Sequence, residues 1–216
     1  MEWLGRFIFS SIGKKQLMAL TGLLFCLFVA VHLLGNLTMY AGAESFSAYA
    51  EGLHSLGLVI TAAELLLLFF AAVHVITAAV LVYQNLSARG SRYKVNKSAG
   101  GRTWSSRLMP WTGAYLIGFI TVHLMNFHFI DREQTEIADV VVNVFSSPAY
   151  IIFYVASMIV VALHVRHGFW SAFQTVGANH PNYMPAIQAL SVLFALAVAL
   201  GFGSIPFYVY FDGLGG

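Results

Sequence analysis

Long apolar segments dominate the chain, and short polar segments separate them. A helix needs about 20 consecutive, mainly apolar residues to cross the hydrocarbon core of a bilayer. Five segments meet this length, at residues 16–40, 58–84, 108–130, 149–173 and 187–211. The pattern therefore predicts one all-α membrane domain over residues 1–216, in which five transmembrane helices pack as a bundle.

The composition agrees with a membrane location. Hydrophobic residues make up 59% of the chain and charged residues 9%, whereas soluble domains carry about 25% charge. The formal net charge of +2 gives no indication of a nucleic-acid partner. The single cysteine, Cys26, lies inside the first apolar segment, which excludes an intrachain disulfide and a cysteine-based zinc or iron–sulfur site.

Charged residues are distributed unevenly between the two sides of the predicted bundle. Lys and Arg stay mainly on the cytoplasmic side of inner-membrane proteins. The bias predicts a bacterial inner (cytoplasmic) membrane protein with a cytoplasmic N-terminus and a periplasmic C-terminus. The predicted cytoplasmic side carries Arg6, Lys14, Lys15, Arg89, Arg92, Lys94, Lys97, Arg102, Arg107 and Arg166, and the other side carries Arg132 with Glu44, Glu51, Asp131, Glu133, Glu136 and Asp139.

Two segments outside the spans also have a predicted role. The N-terminal stretch WLGRFIFSSIG places apolar residues at helical spacing and predicts an amphipathic helix at the membrane interface. Residues 85–107 are basic and contain several Gly and Ser residues, which predicts a linker. This linker could dock a soluble partner, although the need to fix the topology explains its charge equally well.

The first four predicted spans each carry a histidine well inside the span, and the fifth has none. A single intramembrane histidine is more often a hydrogen-bonded core residue than a ligand. Histidines on four successive helices indicate a function, because ionisable groups at membrane depth are costly. The candidate metal ligands are His32, His74, His123 and His164.

Their depths predict two pairs. Relative to the middle of their spans, His32 and His123 lie toward the periplasm and form an outer pair. His74 and His164 lie toward the cytoplasm and form an inner pair. A rise of about 1.5 Å per residue places the pairs about 10 Å apart along the membrane normal. Two imidazoles suit the axial positions of one haem, so the bundle is expected to enclose two b-type haems. Zinc is a weaker interpretation, because two nitrogens are too few for a tetrahedral site.

Polar residues near these histidines continue the same helix faces toward water. His167, Ser171 and Gln174 follow the fourth histidine toward the cytoplasm, and Asn36 and Asn126 follow the outer histidines toward the periplasm. All five are candidates for contacts with haem propionates or a quinone, although an ordinary interfacial role explains His167 equally well. Apart from the recurrence of histidine, the pattern predicts no internal repeat.

Four motifs beside these histidines resemble one known family. They are HLLGNLTMYAG, FSAYAEGLHSLG, QNLSARGSRY and HVRHGFWSAFQTVGANHPNY. The family is the dihaem cytochrome b membrane-anchor subunit of succinate:quinone oxidoreductases, which covers succinate dehydrogenase and fumarate reductase. The resemblance covers roughly residues 12–211, and the last motif and the histidine spacing are its most specific parts. It implies a five-helix anchor with one haem ligand on each of helices 1–4.

The resemblance also implies partners and an electron-transfer role. A flavoprotein subunit with covalent FAD would interconvert succinate and fumarate, and an iron–sulfur subunit would exchange electrons with this anchor. The anchor would carry electrons through two haems b to or from a membrane quinone, usually menaquinone, and the whole complex could form a dimer. The chain has no flavin or iron–sulfur motif of its own, which fits one subunit of an enzyme in contact with membrane lipid.

Two acidic residues are candidates for proton exchange with the quinone. Some family members carry a glutamate two residues before the fourth haem histidine, but Ala162 stands here, which puts a proton path at that position in doubt. Glu64 lies inside the second span, about 15 Å from His74 along the helix, and Glu51 lies in the preceding loop. A structural role for Glu64 and a solvated charge at Glu51 remain open.

Two other functions fit parts of the pattern. The chain could be a cytochrome b anchor for another dehydrogenase, such as a hydrogenase or formate dehydrogenase, but FQTVG resembles the succinate:quinone family instead. It could also be a haem-free, proton-coupled transporter that uses the same histidines. Transporters commonly show broken helices and repeat symmetry around a central site, and the sequence predicts neither.

Overall fold

The structure is a computed structural model, and it describes residues 2–87, 103–130 and 135–214. All regular secondary structure in these ranges is helical. The helices are α1 (Glu2–Phe9), α2 (Ser11–Asn36), α3 (Ala43–His54), α4 (Leu58–Ser87), α5 (Trp104–Phe127), α6 (Ile137–Phe145), α7 (Pro148–Thr175) and α8 (Met184–Asp212), with a 3-10 turn at Leu37–Ala41. Much of the predicted charge pattern lies outside the described residues, namely Arg89, Arg92, Lys94, Lys97, Arg102, Asp131, Arg132 and Glu133.

Five helices in the described ranges are long and apolar enough to cross a membrane: α2, α4, α5, α7 and α8. The prediction of an all-helical membrane bundle is confirmed at this level. Large apolar side chains remain exposed along these helices, for example Phe69 at 59% and Trp111 at 76%. Such exposure is unfavourable in water over so large an area, but it suits side chains that face lipid.

Two helices begin several residues before the predicted spans, because a capping residue precedes each of them. The Ser10 hydroxyl accepts a hydrogen bond from the Gly13 amide at 3.0 Å, so α2 begins at Ser11 and includes two lysines. The Thr103 hydroxyl accepts from the Ser106 amide at 3.1 Å, so α5 begins at Trp104. A serine or threonine at this position satisfies an amide that the first helical turn leaves without a partner. The end of the predicted linker 85–107 is therefore helical.

Two short helices close one end of the bundle, where the apolar pattern predicted only connections. This α3/α6 end contains α3 and α6, and its core includes Met39, Phe46, Val141 and Leu214. The Ala43 amide donates to the Leu214 carbonyl at 3.2 Å, which ties the start of α3 to the residue that follows α8. The opposite end, the α1 end, contains the start of α2 and the end of α7.

The packing order places two pairs of helices across the bundle from each other. α2 packs against α4, α7 and α8, and α7 packs against α5 as well, whereas α4 and α5 touch at few points. Consequently α2 faces α5 and α4 faces α7. α2 and α4 run antiparallel, as shown by Lys14 near the start of α2, which donates to Gln84 near the end of α4 at 3.0 Å. Tyr115 and Ser157 likewise join α5 to α7 at 2.9 Å.

Candidate functional site

The outer pair, His32 and His123, meets between α2 and α5. The two imidazole rings have centroids 5.8 Å apart and an interplanar angle of 85°. Imidazole nitrogens bind metal ions at about 2 Å, so two rings on opposite sides of one ion have centroids about 6 Å apart. The observed spacing therefore fits one metal ion between the rings.

Aromatic side chains surround the outer pair. Phe28 stacks on His32 with centroids 5.3 Å apart, and Phe202 of α8 lies 5.4 Å from the same ring. Phe127 lies 5.2 Å from His123. The His123 Nδ1 atom is buried and has no hydrogen-bond partner in the described part of the chain. Aromatic rings around the two imidazoles make this site apolar, and an apolar site lined by aromatic rings suits a planar macrocycle better than a hydrated ion.

The inner pair, His74 on α4 and His164 on α7, is held by two threonines. Thr21 Oγ1 lies 2.9 Å from His74 Nδ1, and Thr112 Oγ1 lies 3.0 Å from His164 Nδ1. His74 and His164 are also within electrostatic range of each other. Thr21 of α2 therefore positions the imidazole on α4, and Thr112 of α5 positions the imidazole on α7.

A glycine follows each of these threonines and lies against the same imidazole. A Cβ added to Gly22 would stand 3.4 Å from His74 Cε1, and one added to Gly113 would stand 3.6 Å from His164 Cε1. The first distance is tight and the second is ordinary contact. A Cβ at position 22 would crowd the His74 ring, whereas one at position 113 would only touch the His164 ring, so the absence of a side chain matters for close approach mainly at Gly22.

The two pairs lie farther apart than the predicted 10 Å. The Thr21–His74 contact puts the inner pair level with Thr21, and His32 follows Thr21 by 11 residues on the same helix. At about 1.5 Å per residue this is about 16 Å along α2. The prediction was too short because it assumed that the midpoints of all spans lie at one depth, whereas side-chain contacts set the register between helices.

The same spacing on α5 reveals an internal repeat that the sequence prediction missed. Residues 21–32 read TGLLFCLFVAVH and residues 112–123 read TGAYLIGFITVH. Each segment begins with the threonine and glycine beside one inner histidine and ends with one outer histidine. Aligning the two segments on their histidines would have revealed this, because the Thr-Gly pair precedes each histidine at the same distance.

Two imidazoles at each level fit haem better than a metal ion that is bound by protein side chains alone. Within the described ranges, no three His, Cys, Asp or Glu side chains converge on one point. Two imidazoles per level leave most coordination positions of a metal unfilled, and a porphyrin fills four of them. Paired imidazoles, aromatic walls and the glycines beside the inner pair are therefore consistent with axial ligands of haem.

The predicted polar stripe on α7 differs in burial along its length. His167 is 8% exposed, and its Nδ1 atom is buried without a partner among the described residues. Its ring meets Trp170 edge-on at 5.1 Å. Ser171 is half-buried and Gln174 is exposed. His167 is thus the member of the stripe with an unused buried donor or acceptor.

The two asparagines beside the outer pair bind protein groups. Asn36 Nδ2 donates to the His32 carbonyl at 2.8 Å, and Asn126 Nδ2 donates to the Tyr154 hydroxyl at 3.0 Å. Both side chains are half-buried. Each amide keeps an oxygen and a second N–H for other contacts.

The acidic candidates lie at the surface of the bundle. Glu64 on α4 is exposed, and its Oε1 atom lies 3.9 Å from Nδ1 of His128, which follows α5. Glu64 does not point into the bundle because α4 buries only a narrow strip that includes Thr77 and Leu81. Glu51 is exposed on α3. The sequence prediction did not include His128, which becomes relevant only because α5 brings it to α4.

One comparison with known proteins bears on this arrangement. Over 173 residues, 80% of this chain and 81% of the relative, the chain is 24% identical to the succinate dehydrogenase cytochrome b558 subunit of Bacillus subtilis (strain 168). The similarity supports the cytochrome b family of succinate dehydrogenase. No protein-family model matches the chain, and no solved structure matches it at a significant level.

Proposed function

We propose that this chain is the membrane-anchor, electron-transfer subunit of a succinate dehydrogenase or fumarate reductase, with two haems b held between its helices. The observation that carries the proposal is the pairing of four histidines across the bundle, with the outer rings 5.8 Å apart. The similarity to a succinate dehydrogenase cytochrome b558 subunit supports the same function independently.

Each ligand pair would hold one haem. His32 and His123 would bind the outer one through α2 and α5, and His74 and His164 would bind the inner one through α4 and α7. Haem iron with two histidine ligands supplies reversible one-electron transfer. The protein groups contribute by holding the four rings in place, excluding water with apolar side chains and setting the distance between the two sites.

The resemblance and the relative's name indicate the partners in this proposal. A flavoprotein subunit with FAD and an iron–sulfur subunit would bind the cytoplasmic face, which is the α1 end in the predicted orientation. Electrons would pass between the iron–sulfur subunit, the inner site, the outer site and a membrane quinone, for which the resemblance to dihaem members favours menaquinone. The flavin chemistry would take place outside this chain.

Proton exchange with the quinone needs a titratable group near the reduced ring. Glu64 and His128 form the best candidate, because they lie together between α4 and α5 near the α3/α6 end. Glu51 on α3 is a second acid toward the same end. A quinone site at the α1 end would instead use His167, Ser171 and Gln174.

A transporter explains these contacts less well. The described part of α4 and α7 runs without a break past each inner histidine, whereas transporters commonly use broken helices at a central site. A cytochrome b anchor for another dehydrogenase would share the same histidine pairs, and the similarity to a succinate dehydrogenase subunit favours the succinate:quinone assignment.

The deciding experiment is purification of the tagged chain from its native membrane, followed by identification of the bound subunits and a reduced-minus-oxidised optical spectrum. We expect a flavoprotein, an iron–sulfur protein and the absorption bands of two b-type haems. Haem with a hydrogenase or formate dehydrogenase partner would contradict the succinate assignment, and a spectrum without haem would contradict electron transfer.

The orientation can be tested with single cysteines. In a Cys26→Ser background, a cysteine replaces either Ser45 on α3 or Ser87 at the end of α4, and both positions are exposed. We expect a membrane-impermeant maleimide added to intact cells to label Ser45→Cys and to leave Ser87→Cys unlabelled until the membrane is permeabilised. The reverse result would invert the orientation and exchange the inner and outer sites.

A further inference from the structure

We infer that Thr21 and Thr112 are positioning residues for the inner pair, in which each threonine hydroxyl accepts the Nδ1 hydrogen of its histidine and thereby keeps Nε2 available for iron. This inference rests on the proposed function. It assigns a role to two residues of α2 and α5 that are not ligands themselves.

The direction of the first hydrogen bond follows from the neighbours of Thr21. A hydroxyl has one hydrogen to donate and two lone pairs. Thr21 Oγ1 lies 2.8 Å from the Leu17 carbonyl and 3.2 Å from the Met18 carbonyl, and both can only accept. The hydroxyl hydrogen therefore goes to the backbone, and Thr21 Oγ1 is left to accept from His74 Nδ1.

Thr112 repeats the arrangement on α5. Its Oγ1 atom lies 3.0 Å from the Leu108 carbonyl and 3.2 Å from the Met109 carbonyl, so its hydrogen is also directed to the backbone. It then accepts from His164 Nδ1 at 3.0 Å. Both threonines are buried, at 5% and 8% exposure, so water does not compete for these bonds.

The consequence for each imidazole is chemical as well as steric. A neutral imidazole carries one hydrogen, and holding it on Nδ1 leaves the Nε2 lone pair free for a metal. The hydrogen bond also fixes the rotation of the ring and raises the basicity of the ligand. Gly22, which follows Thr21, lets the His74 ring approach the helix closely.

The outer pair lacks this support, which makes the inference specific. His123 Nδ1 has no partner among the described residues. His32 Nδ1 lies 3.4 Å from Asn36 Nδ2, an amide nitrogen whose second N–H can donate to the ring but which cannot accept a hydrogen from it as a threonine oxygen can. Loss of a threonine hydroxyl should therefore affect one haem and leave the other unchanged.

The test uses the whole complex with Thr21→Val, Thr112→Val and the double substitution. Valine keeps the shape of threonine and removes only the hydroxyl. The readouts are haem content per complex, the reduced-minus-oxidised spectrum and the electron paramagnetic resonance of the oxidised haems. Removing such a supporting hydrogen bond typically weakens metal binding about 10–100-fold, so we expect the double variant to lose or shift the inner-haem signal while the outer-haem signal stays.

Two further variants separate positioning from damage to the helix. Thr121→Val on α5 removes the same kind of hydroxyl-to-backbone bond, here to the Ile117 carbonyl at 2.9 Å, at an exposed position, and should change neither signal. Thr21→Ser and Thr112→Ser keep the hydroxyl and should preserve the inner-haem signal.

Three results would overturn the inference. They are unchanged signals in the double valine variant, equal effects on both haems, and serine variants that behave like the valine variants. If the unsubstituted complex contains no haem, the proposed function fails first and this inference fails with it. If the valine variants keep normal signals from both haems, the role of the threonines is overturned and the proposed function is not affected.

Discussion

Replacing His164 with alanine should remove the inner haem and leave the outer haem in place. The four histidines fall into two pairs on facing helices, and a haem that lost one of its two proposed histidine ligands would no longer be low-spin and six-coordinate. We expect His74→Ala to abolish the same spectral component as His164→Ala, and His32→Ala and His123→Ala to abolish the other. The measurements are haem content and low-temperature optical spectra of the purified complex.

A matched control is His180→Ala, because His180 is exposed and follows α7. It should retain both components. If His32→Ala and His74→Ala abolished the same component, the pairing across the bundle would be wrong even though the chain still bound haem.

Replacing Glu64 with glutamine should reduce quinone-linked turnover by at least about tenfold, because positioned acid–base groups commonly contribute about 10²–10⁴-fold to a rate. Glutamine keeps the size and hydrogen-bonding capacity of glutamate and removes the titratable proton. Both haems should remain bound, and succinate oxidation with a soluble dye acceptor should continue. The assay compares quinone-linked and dye-linked rates in the same preparation.

Two variants define what the Glu64 result means. His128→Asn should lower quinone-linked turnover as well, because His128 Nδ1 lies 3.9 Å from Glu64. Glu44→Gln, an exposed acid in the first turn of α3, should leave the rate unchanged. Normal quinone-linked turnover in Glu64→Gln would remove Glu64 from the mechanism and direct attention to His167 and Gln174.

The apolar pattern predicted the five long helices because burial in lipid imposes a length that soluble helices do not share. It missed α3 and α6, which are short, carry exposed acidic residues and are stabilised by packing at the α3/α6 end. Helix starts were displaced toward the N-terminus because single caps at Ser10 and Thr103 extend α2 and α5 beyond their apolar runs.

The candidate site was predictable in its residue types and less so in its contacts. Histidine recurrence along the sequence singled out four side chains, and their role as ligands stays a prediction. The distance between the pairs depended on register, which Thr21 and Thr112 set through contacts across helices. Glu64 and His128 are far apart in sequence, so only the approach of α5 to α4 brings them together.

The repeat on α2 and α5 has a consequence for how the molecule is made. In the proposed pairing, each site would take one ligand from the first helical hairpin, α2 and α4, and one from the second, α5 and α7. Neither hairpin would then complete a site alone during synthesis. The outer site would become possible only when α5 has entered the membrane, and the inner site would have to wait for α7. The packing of α2 against α7 joins the two hairpins on one side, whereas α4 and α5 touch at few points on the other. Bound cofactor would therefore act as a bridge mainly between α4 and α5, and a chain starved of haem should be open between these two helices and accessible to membrane proteases.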